Sequence, residues 1–446
     1  MKIAAVIAEY NPFHNGHKYQ LSEIRRKIKP DYVIVLMSGD FTQRGTPAIM
    51  DKYTRTRHAL ENGADMVIEL PTMWATASAD YFAEGAIRIL ERLGCISHLA
   101  FGCEHEDIEM LTALGSLYAR EPEGYRVALR HALREGYSFP AARSAASQLF
   151  YMQNKNDFTY LWPNNCSPEQ IKSTLEEPNS ILAVSYIKHL IKCSSNITPV
   201  LIKRQGGAFH QTSPDEKFSS ATAVRTEMKR LLKRNLNLME SEMLKTSIPE
   251  SVFKTLEYYH KEHGFVDTNA FSSELRYMIM RSTEEMLAGY LDGGEDLARR
   301  CKNMLNEYEN FEKFCEILKA KSFTHTRISR YLNHIVLGIT SFLLTEISLQ
   351  DEAVYARVLG MRKSSDKLLS IIDERADIPV ITSVAKSMGQ IPFEAQTALD
   401  TDIFAANLYT HAQRDVSGAV YIDELSRPLI VVGDEEYKPK EENIYN

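Results

Sequence analysis

The chain has 446 residues, 44% of them hydrophobic and 25% charged, with a formal net charge of −7. That length exceeds what one core usually organises, so two or three domains are expected. The composition is that of an ordinary globular protein, and the negative balance excludes a surface coated in positive charge while leaving room for a local basic patch.

The first apolar run, Lys2–Ala8, turns polar at Glu9. It is too short for a signal-peptide core, no small-residue cleavage site follows, and nothing later approaches the length of a membrane span. A cytoplasmic protein with no membrane partner is expected. Further short apolar runs lie at Tyr32–Leu36, Met66–Leu70, Ile96–Phe101 and Pro199–Ile202. Helix-like stretches separate them at about 16–29, 51–62, 78–94 and 180–192. Continuous apolar strands alternating with helices predict an α/β fold with a parallel, Rossmann-like sheet.

The segment from about 105 to 150 reads as helical. Residues 150–177 are rich in Asn, Pro and polar groups around Trp162-Pro163-Asn164 and read as an irregular insertion. Beyond about 240 the strand signals stop, and 250–415 reads as successive amphipathic helices. Pro428–Val432 is a candidate closing strand, and the charged residues after it read as a loose tail. The division expected is an α/β domain over 1–235, an α-helical domain over 240–415, and a strand and tail over 416–446.

The six cysteines, Cys95, Cys103, Cys166, Cys193, Cys301 and Cys315, form no CxxC pair, and no histidines stand at zinc-finger spacing. Neither a structural zinc nor a disulfide framework is expected, and no residue is assigned to a metal.

Chemistry concentrates where the first strand ends. Glu9-Tyr10-Asn11-Pro12-Phe13-His14-Asn15-Gly16-His17 holds an HxGH pattern between a parallel strand and a helix, where open α/β sheets bind ligands. A helix N-terminus attracts phosphate, Gly16 permits close approach of the backbone to a nucleotide, and two imidazoles can donate hydrogen bonds to phosphoryl oxygens as charge builds. The bland alternative is two incidental loop histidines, which the position disfavours. Later, Ser219-Ser220-Ala221-Thr222-Ala223-Val224-Arg225 precedes a helix carrying Lys229, Arg230, Lys233 and Arg234. Hydroxyls at a helix start with an arginine one turn in can hold terminal phosphates. Taken alone they would be a cap and a solvated basic face; the upstream motif favours the phosphate role.

These two motifs together resemble the HxGH nucleotidyltransferases and, more narrowly, the bacterial tRNA(Met) cytidine acetate ligases. Longer blocks carry the narrower likeness: Met37-Ser38-Gly39-Asp40-Phe41-Thr42-Gln43-Arg44-Gly45, Gly63-Ala64-Asp65-Met66-Val67-Ile68-Glu69-Leu70-Pro71, Phe101-Gly102-Cys103-Glu104, Pro178-Asn179-Ser180-Ile181-Leu182 and Phe323-Thr324-His325-Thr326-Arg327-Ile328. The resemblance spans nearly the whole chain. It implies that acetate and ATP form acetyl-adenylate, and that the acetyl group passes to the wobble cytidine of elongator tRNA(Met), giving N4-acetylcytidine. It implies ATP contacts at Ile7, Ala8, Glu9, Tyr10, Asn11, Pro12, Phe13, His14, Asn15, Gly16, His17, Lys18, Tyr19 and Gln20, and at Gly102, Asn179 and Arg204. Of two Pro-Asn blocks, at 163–165 and 178–180, the second is preferred because an amphipathic helix follows it.

In the mechanism this implies, His14 and His17 stabilise the transition state at the α-phosphate, and Ser220, Thr222 and Arg225 steady the leaving phosphates. Mg2+ bridging the phosphates is expected. Asp40, just after the second strand, is a candidate for orienting a substrate or assisting deprotonation of the amine; its alternative is a cap aspartate.

From Ile317 to Thr345 there is no acidic residue, while Lys319, Lys321, Arg327 and Arg330 fall in that stretch with His325 and His334. Arg327, Arg330 and His334 share one helix face, and Arg357, Arg362, Lys363 and Lys367 form a second basic group. Charge pattern alone favours a solvated helix face; the resemblance favours tRNA, with no DNA partner expected. Two competitors remain: a small-molecule adenylyl- or cytidylyltransferase of coenzyme A or NAD synthesis, and a non-catalytic RNA-binding protein. The helical region of about 200 residues argues against the first, and the intact motifs argue against the second.

Overall fold

A computed structural model describes residues 1–104, 107–157, 161–164, 166–204, 219–320, 323–350 and 354–433. The five apolar runs form parallel strands: β1 (Ile3–Ala8), β2 (Tyr32–Ser38), β3 (Met66–Leu70), β4 (His98–Cys103) and β5 (Thr198–Lys203). They stand in the order β5-β4-β1-β2-β3, with Val6 opposite Val35 and Ala5 opposite Leu99. Successive side chains of β2 alternate between two cores. Val33, Val35 and Met37 pack with Leu21 and Ile24 of the helix Asn15–Ile28; Ile34 and Leu36 pack with Phe82 and Ile89 of the helix Ala79–Arg92. Burial on both faces is why these runs are continuously apolar. The chain adds β2 and β3 on one side of β1, then crosses to place β4 on the other. That reversal opens a crevice above the carboxyl ends of β1 and β4.

Two expectations are corrected. The stretch 150–177, expected to be irregular, is largely helical among its described residues. One helix runs Phe139–Asn154 and another Pro168–Glu176. The Ser and Pro that suggested a loop mark a helix start: Ser167 Oγ accepts from the Gln170 N–H at 3.2 Å, Pro168 occupies the first helical turn, and Ile171 is fully buried.

The second correction concerns 250–415, which is not helical throughout. β6 (Ala356–Arg362) pairs antiparallel with β3, while β7 (Val380–Ile381) and β8 (Ile430–Val432) pair parallel with β6. Among the described residues the sheet therefore has eight strands, drawn from both ends of the chain. Arg357 and Arg362 disguised β6 as a basic surface. Both are buried: the Arg362 guanidinium binds the Leu60 and Ala64 carbonyls, and Arg357 binds carboxylates. Lys363 and Lys367 are exposed, and the expected tail from 434 lies outside the described residues. Among the described residues, no helix is long and apolar enough to cross a membrane.

Where the added strands meet the first five, four charged side chains lie together in the interior. Lys52 Nζ is 2.7 Å from Glu69 and 2.6 Å from Glu424; Arg357 is 3.0 Å from Glu69 and 2.6 Å from Glu424. The Tyr53 hydroxyl donates to Glu424 at 3.0 Å. Two cations face two carboxylates, so the set is neutral, and each member satisfies another. Arg357→Met leaves two carboxylates facing one ammonium group and should cost about 3–5 kcal/mol. Urea denaturation reads this directly, and a midpoint equal to the parent's would show that the network contributes nothing.

Candidate active site

The loop after β1 carries the HxGH residues into the crevice. His14 is the N-cap of the helix Asn15–Ile28, and the two histidines cap one another's backbone. His14 Nδ1 accepts from the Gly16 N–H at 3.1 Å, and His17 Nδ1 accepts from the His14 N–H at 3.2 Å. Their rings stack, with centroids 3.6 Å apart and planes tilted by 21°. A neutral imidazole with an accepting Nδ1 must carry its proton on Nε2. The capping bonds thus fix the tautomer, and each ring keeps an Nε2–H donor for a ligand. Burial, reinforced by the charges of Arg204 and Arg225, lowers the His14 pKa to about 3. Burial, then His14 and Arg204, hold His17 well below the usual imidazole range. Both rings are therefore neutral donors at neutral pH.

Gly16 earns a reason beyond nucleotide approach. A Cβ there would lie 2.9 Å from His14 Cε1, so any side chain would push the ring away. Beneath the histidines, Tyr10 and Phe13 are buried; the Tyr10 ring lies 4.7 Å from that of His17.

The loop itself is held from below. Arg55 is fully buried, and its guanidinium donates to four carbonyls: Met50 at 2.9 Å, Glu9 at 2.7 Å, Ser38 at 3.0 Å and Gly39. It ties the ends of β1 and β2 together. From above, Arg225 Nη1 donates to the Asn11 carbonyl at 2.6 Å and Nη2 to Thr222 Oγ1 at 3.2 Å. Burial lowers Arg225 to about 10, which leaves it charged. Ser220 is the N-cap of the helix Ala221–Lys233 and accepts from the Ala223 N–H at 3.2 Å.

A cavity of about 800 Å³ opens over these groups. His14, His17, Ser220, Thr222 and Arg225 line it together, with Ile7, Ala8, Glu9, Tyr10, Asn11, Gly16, Tyr19 and Gln20. Gly102, Asn179 and Arg204 also line it and meet around one carboxylate: Asn179 Nδ2 donates to Glu104, and Arg204 lies 3.6 Å from it. A Cβ on Gly102 would come within 3.3 Å of Arg204. The second Pro-Asn block is thus the one at the cavity.

Some expected residues stand elsewhere. Pro12 and Phe13 are buried under the loop, Asn15 binds the Thr246 carbonyl at 2.7 Å, and Lys18 points outward. Asp40 does not line the cavity. Its Oδ1 accepts from the Lys52 N–H at 2.7 Å at the start of the helix Lys52–Glu61, and burial raises its pKa to about 7. It is buried beside the N-cap Asp51 and holds the first N–H of that helix, so the substrate-orienting role is corrected.

The basic face is corrected as well. Arg330 makes a two-pronged ion pair with Asp292 at 2.8 and 2.9 Å, and Arg327 donates to the Asp292 and Gly293 carbonyls at 3.0 and 2.9 Å. His334 is fully buried between the Leu291 and Thr76 carbonyls. Lys229 pairs with Asp267 and Glu312, and Arg230 with Glu227. Arg327 and Arg330 line the cavity wall instead of an open face, Lys319 is exposed, and Lys321 lies outside the described residues.

Sequence reasoning missed Arg44, Asp80, Arg143 and Asp292 as cavity residues. Arg44 sat in a quoted block, whereas Asp80 and Arg143 carry no local signal.

Buried neutral histidines make stability depend on pH. Below about pH 6.5 the unfolded chain protonates its histidines while folded His14 stays neutral down to about pH 3. The unfolded state then binds more protons, so stability falls as pH drops. For His14 the loss at about pH 5 is on the order of 2 kcal/mol. Urea unfolding of the parent and His14→Asn at neutral pH and at about pH 5 should show a shallower pH loss in the variant; parallel losses would reject a neutral His14.

The family HIGH Nucleotidyl Transferase matches residues 1–420. The sequence is 35% identical to the tRNA(Met) cytidine acetate ligase of Clostridium kluyveri over 97% of this chain and 99% of that one. It is 32% identical to that of Acetivibrio thermocellus over 97% and 100%. The crystal structure of apo Thermotoga maritima TmcAL superposes with a TM-score of 0.87 at 31% identity, covering 97% of this chain and 100% of that one. The same protein bound with alpha-thio ATP gives a TM-score of 0.85 at 30% identity, with the same coverage.

Proposed function

The chain belongs to the HIGH nucleotidyl transferases and, among them, to the tRNA(Met) cytidine acetate ligases, and from this we propose that it acetylates the wobble cytidine of elongator tRNA(Met) at the expense of ATP. The observation that carries the reading is the stacked His14–His17 pair, two neutral rings whose Nε2–H groups have no hydrogen-bond partner among the described residues, at a topological switch point.

An acetate oxygen attacks the α-phosphorus of ATP; the new O–P bond forms as the bond to the β-phosphate oxygen breaks, and pyrophosphate leaves. Charge grows on the α-phosphoryl oxygens, where the two fixed donors stabilise it without reorganising. Arg225, Thr222 and Ser220 face the departing phosphates. In the second step the cytidine N4 attacks the acetyl carbon, the bond to AMP breaks, and the amine loses one proton. The thioATP-bound relative supports nucleotide binding in this fold.

Among the described residues no three metal-ligating side chains converge. Mg2+ needs none when it arrives on phosphates, because it keeps waters and takes one or two carboxylates. Glu9, which lines the cavity and accepts from the Gln43 N–H at 2.9 Å, would be the side chain to hold it, and the ion would supply neutralisation of phosphate charge. Exposed Lys319 is the group offered to tRNA; a tRNA substrate fits a reaction in the cytoplasm.

ATP–pyrophosphate exchange should require acetate, and His14→Ala should lower it by about a hundredfold to a thousandfold. Exchange indifferent to acetate, or nucleotidyl transfer to phosphopantetheine or nicotinate mononucleotide, would reject the proposal. Because Arg330 holds Asp292, Arg330→Glu should lower thermal stability, whereas Lys319→Glu should weaken tRNA binding with folding unchanged, more so at low salt. Thermal unfolding and filter binding separate the two effects.

A further inference from the structure

Part of the cavity lining, an arm formed by Asp80, Tyr118, Arg143 and Tyr186, is given no role by the adenylation reading. Tyr118 and Tyr186 belong to the core on the sheet face opposite the one on which Tyr10 and Phe13 support His17. The arm therefore draws on the core opposite the one beneath the histidines.

Asp80 lies in the first turn of the helix Ala79–Arg92, and its side chain is 39% exposed toward this arm. Both carboxylate oxygens accept from Lys188 Nζ at 2.7 Å, and Oδ1 is 3.3 Å from His189 Nε2. The Lys188 side chain is 7% exposed and that of His189 10%. Burial alone would raise the Asp80 pKa, but the His189 hydrogen bond and the Lys188 charge hold it well below the usual carboxylate range. An ionised carboxylate offers about four acceptor positions, so capacity remains on the side facing the arm. Arg143 supplies the complementary group. Its guanidinium lies 3.7 Å from the Tyr118 ring centroid, faces no carboxylate within ion-pair reach among the described residues, and acts electrostatically on Lys188, as Asp80 does.

An acceptor and a donor on one wall match the pairing edge of cytosine, whose N4 amine donates beside the N3 and O2 acceptors. They mismatch uracil held in the same register, where the O4 acceptor would face Asp80 and the N3–H donor would face Arg143. Aspartate accepting from the cytosine amine is a recurrent pairing, and flipped bases are read along this edge. Resting on the acetyltransfer reading above, we propose that Asp80 is a specificity-determining residue for the acceptor base, taking a hydrogen bond from the exocyclic amine while Arg143 donates to the ring.

The test is Asp80→Asn, assayed by acetate-dependent ATP–pyrophosphate exchange and by acetyl transfer to an anticodon stem-loop with cytidine at the wobble position. Exchange should continue with an unchanged KM for ATP, while transfer falls about tenfold to a hundredfold. Inhibition by the uridine stem-loop, weak in the parent, should approach that by the cytidine one. Transfer within twofold of the parent would overturn the proposal. So would a raised KM for ATP, which would mean that Asp80 reads the adenine amine. If exchange is lost because unpaired Lys188 disturbs the fold, Arg143→Gln decides, since it leaves the Asp80–Lys188 pair intact. A tenfold loss of transfer with exchange retained supports the proposal, and unchanged transfer rejects it. A parent enzyme that exchanges with acetate yet forms no acetylcytidine overturns the acetyltransfer reading itself, whatever the variants do.

Discussion

One ammonium, one guanidinium and two carboxylates share the interior of this molecule, and the placement of the catalytic loop follows from them. Lys52, Glu69, Arg357 and Glu424 come from a helix, β3, β6 and the turn before β8. Separately, each would be too costly to bury. Together they fix the helix Lys52–Glu61, and that helix carries Arg55. Its guanidinium spans the carbonyls that end β1 and β2, so Glu9 to Asn11 leave the sheet at one angle. Gly39 shows how tight the stack is: a Cβ there would sit 2.5 Å from a Glu69 oxygen. The N-terminal chemistry thus leans on residues near the other end of the chain.

At the top of that stack, local structure and reactivity are one arrangement. The bonds that cap the helix occupy both Nδ1 atoms, and this leaves Nε2–H as the sole donor of each ring. Desolvation keeps the rings uncharged, and at 3.6 Å a charge on one would further oppose a charge on the other. A preset neutral donor pair suits a site in which negative charge must be met as it grows, without prior attraction for protons.

The parallel strands and the HxGH site were legible because their signals are local: continuous apolar runs, and two histidines bracketing a glycine at a strand-to-helix junction. β6 was not, because its two arginines are neutralised by Glu69, Glu424 and backbone carbonyls far away in sequence. The same blindness turned Arg330 into a presumed surface charge, although Asp292 meets it from 38 residues away. Asp40 deceived in the opposite direction: an acid after a strand suggests chemistry, yet it holds the first N–H of a helix. Asp80 reaches the cavity through the packing of the helices Ala79–Arg92 and Pro178–Lys192, and Arg143 from the helix Phe139–Asn154, which no short window encodes.

The antiparallel seating of β6 on β3 also has a meaning for synthesis on the ribosome. β3 is finished at Leu70, but its outer neighbour begins at Ala356. At about 5–20 residues per second, tens of seconds pass while a buried-type strand has an open edge in the nascent chain. During that interval the edge is a template for any other extended segment. A pulse of slowed translation between these points prolongs the exposure, so codon choice along the intervening helices becomes part of how the catalytic half reaches its native pairing.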